Sequence, residues 1–268
     1  MYLPLRRRLQ NIINKIPAIL SIAAIILLWH ILSVSKIVPS YMLPSPMSVV
    51  SAFVDDFDII MSHAQVTLTE AFLGLFVGIV FALVIATAMD RWKFMDKALY
   101  PIMIITQTIP TIAIAPLLVL WMGFDMEPKI TLVALTTFFP IAISLLDGYK
   151  SVDKDYINLI KSMGAGRWNI YTKLKLPSAL PYFFSGLKVS VSYAVVGAVI
   201  SEWLGGFEGL GVYMTRVRKA YAFDKMFAVI IFIVVVSLLL MWLVNVIKYV
   251  AMPWDRLRRG DKQNEYKK

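Results

Sequence analysis

The sequence predicts an all-α, polytopic membrane protein with about six transmembrane helices, and three observations carry that expectation. The 268 residues are 59% hydrophobic and only 16% charged, against about 45–50% and about 25% for soluble domains. The apolar excess falls in blocks of about 20 residues, the length that crosses a bilayer as a helix. Too little polar sequence remains between the blocks for a separate soluble catalytic domain.

Taken in order, the spans fall at residues 17–34, 66–89, 98–122, 128–147, 182–204 and 226–250. Helices are the form that suits these lengths, because lipid offers no partner for free backbone groups. The first span follows Arg6, Arg7 and Arg8 and ends at Ser33-Val34-Ser35, a pattern that also fits a signal peptide. The apolar run is long for a signal, and the rest of the chain is polytopic, so an uncleaved first span is the simpler reading. The loop before the second span holds the segment LPSP and an acidic cluster, Asp55, Asp56 and Asp58. Its prolines predict extended backbone near the membrane surface.

The second span places Gly74, Gly78, Ala82 and Ala86 four residues apart, a smooth stripe along one helical face that lets another helix approach closely. The third span contains TQTIPTIAIAPLLVLW. Pro110 and Pro116 each remove a backbone donor, and membrane helices tolerate that where a neighbour or a cavity satisfies the freed carbonyls. Gln107 and Thr108 lie just before Pro110, which makes them candidates for a translocation path; interhelical hydrogen bonding uses the same residue types. Glu202, in ISEWLGG near the end of the fifth span, is the third path candidate, since a carboxylate within the membrane marks function by default. Interfacial water weakens that default, and Trp203 fits an aromatic belt. Lys188, inside the fifth span, has a stem long enough to reach the headgroups. The segment GGFEGLG breaks the helix after the fifth span, and 212–220 resumes one.

The net charge of +10 raises nucleic-acid binding as a rival, but its distribution favours topology. With both termini cytoplasmic, twenty of the 27 basic residues lie on the inner side. They include Arg6–Arg8, Arg91, Lys93 and Lys97, six between Lys150 and Lys175, and the tail from Lys248 to Lys268. Six lie outside: Lys36, Lys129, Arg216, Arg218, Lys219 and Lys225. That is the positive-inside pattern. The organisation is a tail at 1–16, a membrane domain at 17–250 with a large inner loop at 148–181, and a basic tail at 251–268. Cysteine is absent and the two histidines, His30 and His63, are far apart, so neither a disulfide framework nor a metal centre is expected.

The inner loop contains NLIKSMGAGRWNIYTKLKLP at 158–177. Residues 154–168 hold a short helix in which Ile157, Ile160 and Met163 share a face; Gly164 and Gly166 end or bend it, and Leu176-Pro177 stops a second segment. The apolar spacing needs something to face, either lipid or a groove on a partner protein.

These residues resemble the permeases of ATP-binding-cassette importers. Their cytoplasmic signature runs Glu-Ala-Ala, three residues, Gly, nine residues, Ile, any residue, Leu-Pro. Gly164 and Leu174-Lys175-Leu176-Pro177 match it in type and spacing, whereas Asn158, Leu159 and Ile160 stand where the acidic start belongs. LPSP at 43–46, IPTIAIAPLLVLWMGF at 109–124 and GLG at 209–211 are similar to the nitrate, sulfonate and taurine permease group. SEWLGGFEGLGVYM at 201–214 is similar to its branch for thiamine pyrimidine precursors. The resemblance implies a cytoplasmic coupling helix docked on a separate ATPase subunit, with Asn158, Leu159, Ile160, Gly164, Arg167, Trp168, Leu176 and Pro177 shaping the coupling segment. It implies a second copy of the chain and an external solute-binding protein, in a bacterial cytoplasmic membrane. ATP and Mg would sit on the partner, since this chain lacks a phosphate-cradling G-x-x-x-x-G-K-[ST], and no cofactor is expected here. An ion-gradient-driven transporter or channel is the alternative; for it, Glu202, Glu70 and Asp147 lie near span ends and none is central. A membrane enzyme ranks last, for want of a His cluster, paired carboxylates or a nucleophile motif.

Overall fold

The structure, a computed structural model, describes residues 16–35, 38–39 and 41–254. The basic runs at Arg6–Arg8 and Arg256–Lys268 lie outside the described residues. Among the described residues the chain is helical, with no strand. In order the helices are α1 (Ile16–Val34), α2 (Pro46–Asp55), α3 (Phe57–Arg91), α4 (Lys93–Gln107), α5 (Thr111–Met122), α6 (Glu127–Lys150), α7 (Lys154–Ser162), α8 (Arg167–Ile170), α9 (Leu176–Gly205), α10 (Leu210–Lys219) and α11 (Phe223–Ala251). A π-helical turn, Tyr171–Lys175, joins α8 to α9 without a break. Among the described residues five helices are long and apolar enough to cross a membrane, and the bent pair α4–α5 makes a sixth crossing if it is one span.

The contacts fall into two units. The described residues of the first lie within 16–61 and 214–232. In it Trp29 of α1 stacks on Phe227, with ring centroids 6.0 Å apart, and its indole N–H donates to the Pro44 carbonyl at 3.0 Å. The Ser33 hydroxyl donates to the Leu43 carbonyl at 3.1 Å. LPSP is therefore a start signal rather than a purely extended loop: the Ser45 side chain caps α2 by accepting from the Ser48 amide, and Pro46 sits in the first turn, where its missing N–H costs nothing. Val49 and Ala52 on α2 pack with Ala228, and Lys225 pairs with Asp56 at 2.7 Å.

The second unit, whose described residues are 62–213 and 233–254, holds the main core. The small-residue stripe of α3 lies against α6. A methyl group added at Gly74 would come within 2.8 Å of the Ile130 carbonyl oxygen, and one at Gly78 would collide with the Thr137 hydroxyl; Ala82 and Ala86 are buried completely. The same device closes α6 on α9, where Gly186 meets the Pro140 carbonyl and Gly148 meets Ala179. With 35 residues, α3 is about 50 Å long at 1.5 Å per residue. It outruns the 66–89 span because polar residues that read as loop, from Asp58 to Gln65, continue its helical winding.

The third span differs most from its sequence expectation. Residues 98–122 form two helices, α4 and α5, bent by 100° at 108–110. Pro110 supplies no N–H to the preceding turn and stands at the N-cap of α5. The end of α4 tightens instead, with Thr108 N–H bonded to the Ile105 carbonyl at 3.0 Å. Pro101 and Pro116 sit inside α4 and α5 without breaking either.

Candidate functional site

The bend between α4 and α5 opens a pocket of about 430 Å³. Gln107 and Thr108 line it together with Thr136, Phe139, Tyr193 and Ile200. Among the described residues none that lines it is charged. The break also leaves the last carbonyls of α4 and the first amides of α5 without full helical partners, so donors and acceptors meet at one place. Thr136 and Tyr193 were not legible as pocket residues, because each is an isolated polar side chain in an apolar span.

Glu202 does not line this pocket, which separates it from Gln107 and Thr108. It is 1% exposed, and both carboxylate oxygens are engaged. The Thr67 hydroxyl donates to Oε1 at 2.6 Å, and the Gly211 amide donates to Oε2 at 2.6 Å. Two neighbouring amides complete the arrangement: Leu210 N–H donates to the Thr67 hydroxyl oxygen at 2.8 Å, and Gly209 N–H to His63 Nδ1 at 3.0 Å. Three consecutive amides of the GLG turn are thus held by side chains of α3 and α9. Gly209 is required twice over, because its φ is +117° and a Cβ there would run into the Glu202 carboxylate.

Close by, Lys129 of α6 and Glu70 of α3 form an ion pair at 2.8 Å, with 5% and 0% of each residue exposed. Lys129, read from the sequence as a loop charge, is therefore a buried partner. The signal that could have found this cluster is His63, Thr67 and Glu70, spaced four and three apart and so on one face of α3.

The segment after α6 has the opposite character. Asp153 caps α7 through the Asp155 amide, with Asp155 in the first turn and Lys161 in the last, each favourable to the helix dipole. Gly164 ends it: Gly164 N–H bonds to the Lys161 carbonyl and Ala165 N–H to Ile160, the paired bonds of a Schellman stop. Its φ of +81° with open space around it makes the backbone angle, not crowding, the reason for glycine. Ile157 and Ile160 are half-buried, but Met163 leaves their face, since it is the C-cap and 78% exposed. Tyr156, Leu159 and Trp168 are also exposed, as are Asn158 and Arg167. Leu176 and Pro177 begin α9 directly after the π turn, so the Leu-Pro pair does not stop a helix; the chain winds on through it to Gly205.

Residues 74–248 match the family described as the binding-protein-dependent transport system inner membrane component. The chain belongs to that family. As one of these inner membrane components it is a permease subunit of an ATP-binding-cassette importer, a multi-pass protein of the cytoplasmic membrane. A probable ABC transporter permease protein of Haemophilus influenzae is 36% identical to it, over 85% of this chain and 93% of the relative. The formylaminopyrimidine transport permease protein ThiX of Halalkalibacterium halodurans is 34% identical, over 87% and 93%. Among solved structures, an inward-facing form of the MetNI methionine ABC transporter superposes with a TM-score of 0.64 at 20% identity, over 72% of this chain and 96% of that one. At that identity the likeness concerns the fold.

Proposed function

We propose that this permease subunit carries a small, uncharged, hydrogen-bonding solute through the pocket at the α4–α5 bend. We further propose that a separate ATPase subunit drives it by docking on residues 154–168. The observation that carries the docking is the exposed group Tyr156, Leu159, Met163 and Trp168, set among Lys154, Lys161 and Arg167. An apolar tip on a basic segment suits a groove on a partner protein. ATP and Mg belong to that partner, and this chain contributes no nucleotide site. The basic residues of the 148–181 loop support a cytoplasmic position for it, and with it for both termini.

The lining of the pocket supports one class of cargo. Moving a sulfonate or nitrate from water into a site with no cationic side chain leaves its charge without a partner, which costs several kcal/mol. A neutral heterocycle can stack on Tyr193 or Phe139 and use Gln107, Thr108, Thr136 and the helix ends as donors and acceptors. That supports a pyrimidine-type solute, the class printed in the name of the ThiX relative, over nitrate, sulfonate or taurine. Ile105, Ile109 and Ile112 flank the bend and are exposed, a face that a second copy of the chain can cover. The family's description supports delivery by an external binding protein.

The chain has no native cysteine, so single cysteines report one site each. Leu159→Cys is expected to crosslink to the ATPase subunit in membranes. In proteoliposomes holding all subunits, ATP is expected to drive uptake of a formylaminopyrimidine and not of taurine. Crosslinking only to lipid analogues would overturn the docking, and uptake of taurine alone would overturn the cargo.

A further inference from the structure

The loop that carries α7 is tied to the membrane helices by a compact polar strut. Tyr171 and Lys175 bracket the π turn, while Thr87 and Asp90 sit three apart on one face near the end of α3. Lys175 Nζ donates to both Asp90 oxygens at 2.7 and 2.8 Å, in a pair only 22% and 12% exposed. The Tyr171 hydroxyl lies 2.8 Å from that of Tyr149 on α6 and 3.3 Å from the Thr87 hydroxyl. Thr87 and Tyr149 close the triangle at 3.4 Å. A second ion pair, Lys150 to Asp96 at 2.8 Å, links α6 to α4 alongside, more exposed than the first.

Two features make this more than surface decoration. The segment meets α3 at two points, so neither a pivot about one bond nor a slide along the helix is free. The helix is also wound one residue wider at this place. Pro177 cannot donate to the turn before it and its ring crowds that turn, and an i→i+5 turn absorbs the misfit. Wide turns of this kind recur where helices must bend. A soft turn between α8 and α9 would dissipate a push on α7 unless its two ends were braced, and Tyr171 and Lys175 brace them. Lys175 occupies the position that the signature leaves open between Leu174 and Leu176.

We propose that Thr87, Asp90, Tyr149, Tyr171 and Lys175 are positioning residues that pass movement of the coupling segment to α3 and α6, and through them to the α4–α5 pocket. The proposal rests on the docking reading above. Its test uses the whole complex, in which modification of Thr111→Cys, on the pocket lining at the start of α5, by a small water-soluble maleimide is timed with and without ATP and vanadate. In the otherwise unaltered chain, trapping is expected to change the labelling rate at least fivefold. In Tyr171→Phe with Lys175→Met, the ATPase subunit still co-purifies and hydrolyses ATP within twofold of its usual rate, while the trapping effect on labelling falls below twofold. The exchanged pair Asp90→Lys with Lys175→Asp restores part of that effect, which a general loss of packing would not. If the ATPase subunit fails to bind even the unaltered chain, the docking reading is wrong. If it binds and the strut variants retain the full trapping effect, the docking stands and the strut is overturned.

Discussion

Glu202 and Leu159 stand in segments that both attract attention in the sequence, yet the structure treats them in opposite ways. The Glu202 carboxylate lies under the GLG turn with a donor on each oxygen. Leu159 projects from α7, 57% exposed, on a helix whose own interior needs are met by Ile157 and Ile160. A buried polar group with its partners in place is engaged in holding the chain together. An exposed apolar group on a capped, well-terminated helix is available to something else. Burial and satisfaction separate the two roles where residue type does not.

The contrast predicts that variants in the buried cluster unfold the permease, whereas variants at the α7 tip leave it folded and alone. The largest effect is expected from Lys129→Met. It strands the Glu70 carboxylate in the interior, and breaking a buried pair by removing one partner costs about 3–5 kcal/mol. The permease should lose its sharp size-exclusion peak in detergent and melt at a markedly lower temperature. A melting curve equal to that of the unaltered chain would mean that Glu70 finds water, and that the cluster is not a closed interior.

Glu202→Leu comes next. Thr67 can turn its hydroxyl to the His63 carbonyl, 3.2 Å away, so the main loss is the bond from the Gly211 amide to the Glu202 carboxylate, and a hydrogen bond to a charged group is worth about 1.5–3 kcal/mol. Gly209→Ala should copy this loss, since its Cβ meets the same carboxylate. Both are expected to speed hydrogen exchange at 209–211 before they affect α6 or α9. Uptake that falls while the melting temperature and exchange stay unchanged would return Glu202 to the translocation path.

Much of the fold was open to reading because its physics is local. Apolar block length gives the spans, and the Gly74–Gly78–Ala82 spacing marks a close helix contact, though not that α6 is the partner. The stop at Gly164 follows from residue type at a fixed offset, whereas the cap at Ser45 was missed because the prolines around it read as extended backbone. The rest needs the third dimension. A proline can kink, start or merely inhabit a helix: Pro110, Pro46 and Pro101 do one each, and what decides is whether neighbouring packing accepts the bend. The partners of Glu202 come from segments 135 and nine residues away, and no periodicity links them. Likewise Lys129 looks like a loop charge until Glu70 is placed beside it.

A smaller effect is expected from Gly164→Ala. The site is open, so only the left-handed angle resists, at about 1–2 kcal/mol, and the strain falls on the end of α7 alone. Global melting should move little, while limited proteolysis at 162–167 quickens. Crosslinking of Leu159→Cys to the ATPase subunit should fall severalfold, because the α7 tip no longer holds one orientation.

The smallest effect on stability is expected where the effect on function is greatest. Leu159→Ser and Trp168→Ser remove apolar groups that the permease leaves exposed, so each should shift its own stability by no more than about 0.5 kcal/mol. The few apolar anchors that dominate an interface contribute about 2 kcal/mol or more to binding, so if these two are the anchors the expected loss is about thirtyfold in affinity for the ATPase subunit. Measuring both quantities on the same detergent-purified protein decides the matter. A drop in stability comparable to the drop in affinity would mean that these side chains pack on the permease itself, and the distinction between Glu202 and Leu159 would fail at its clearer end.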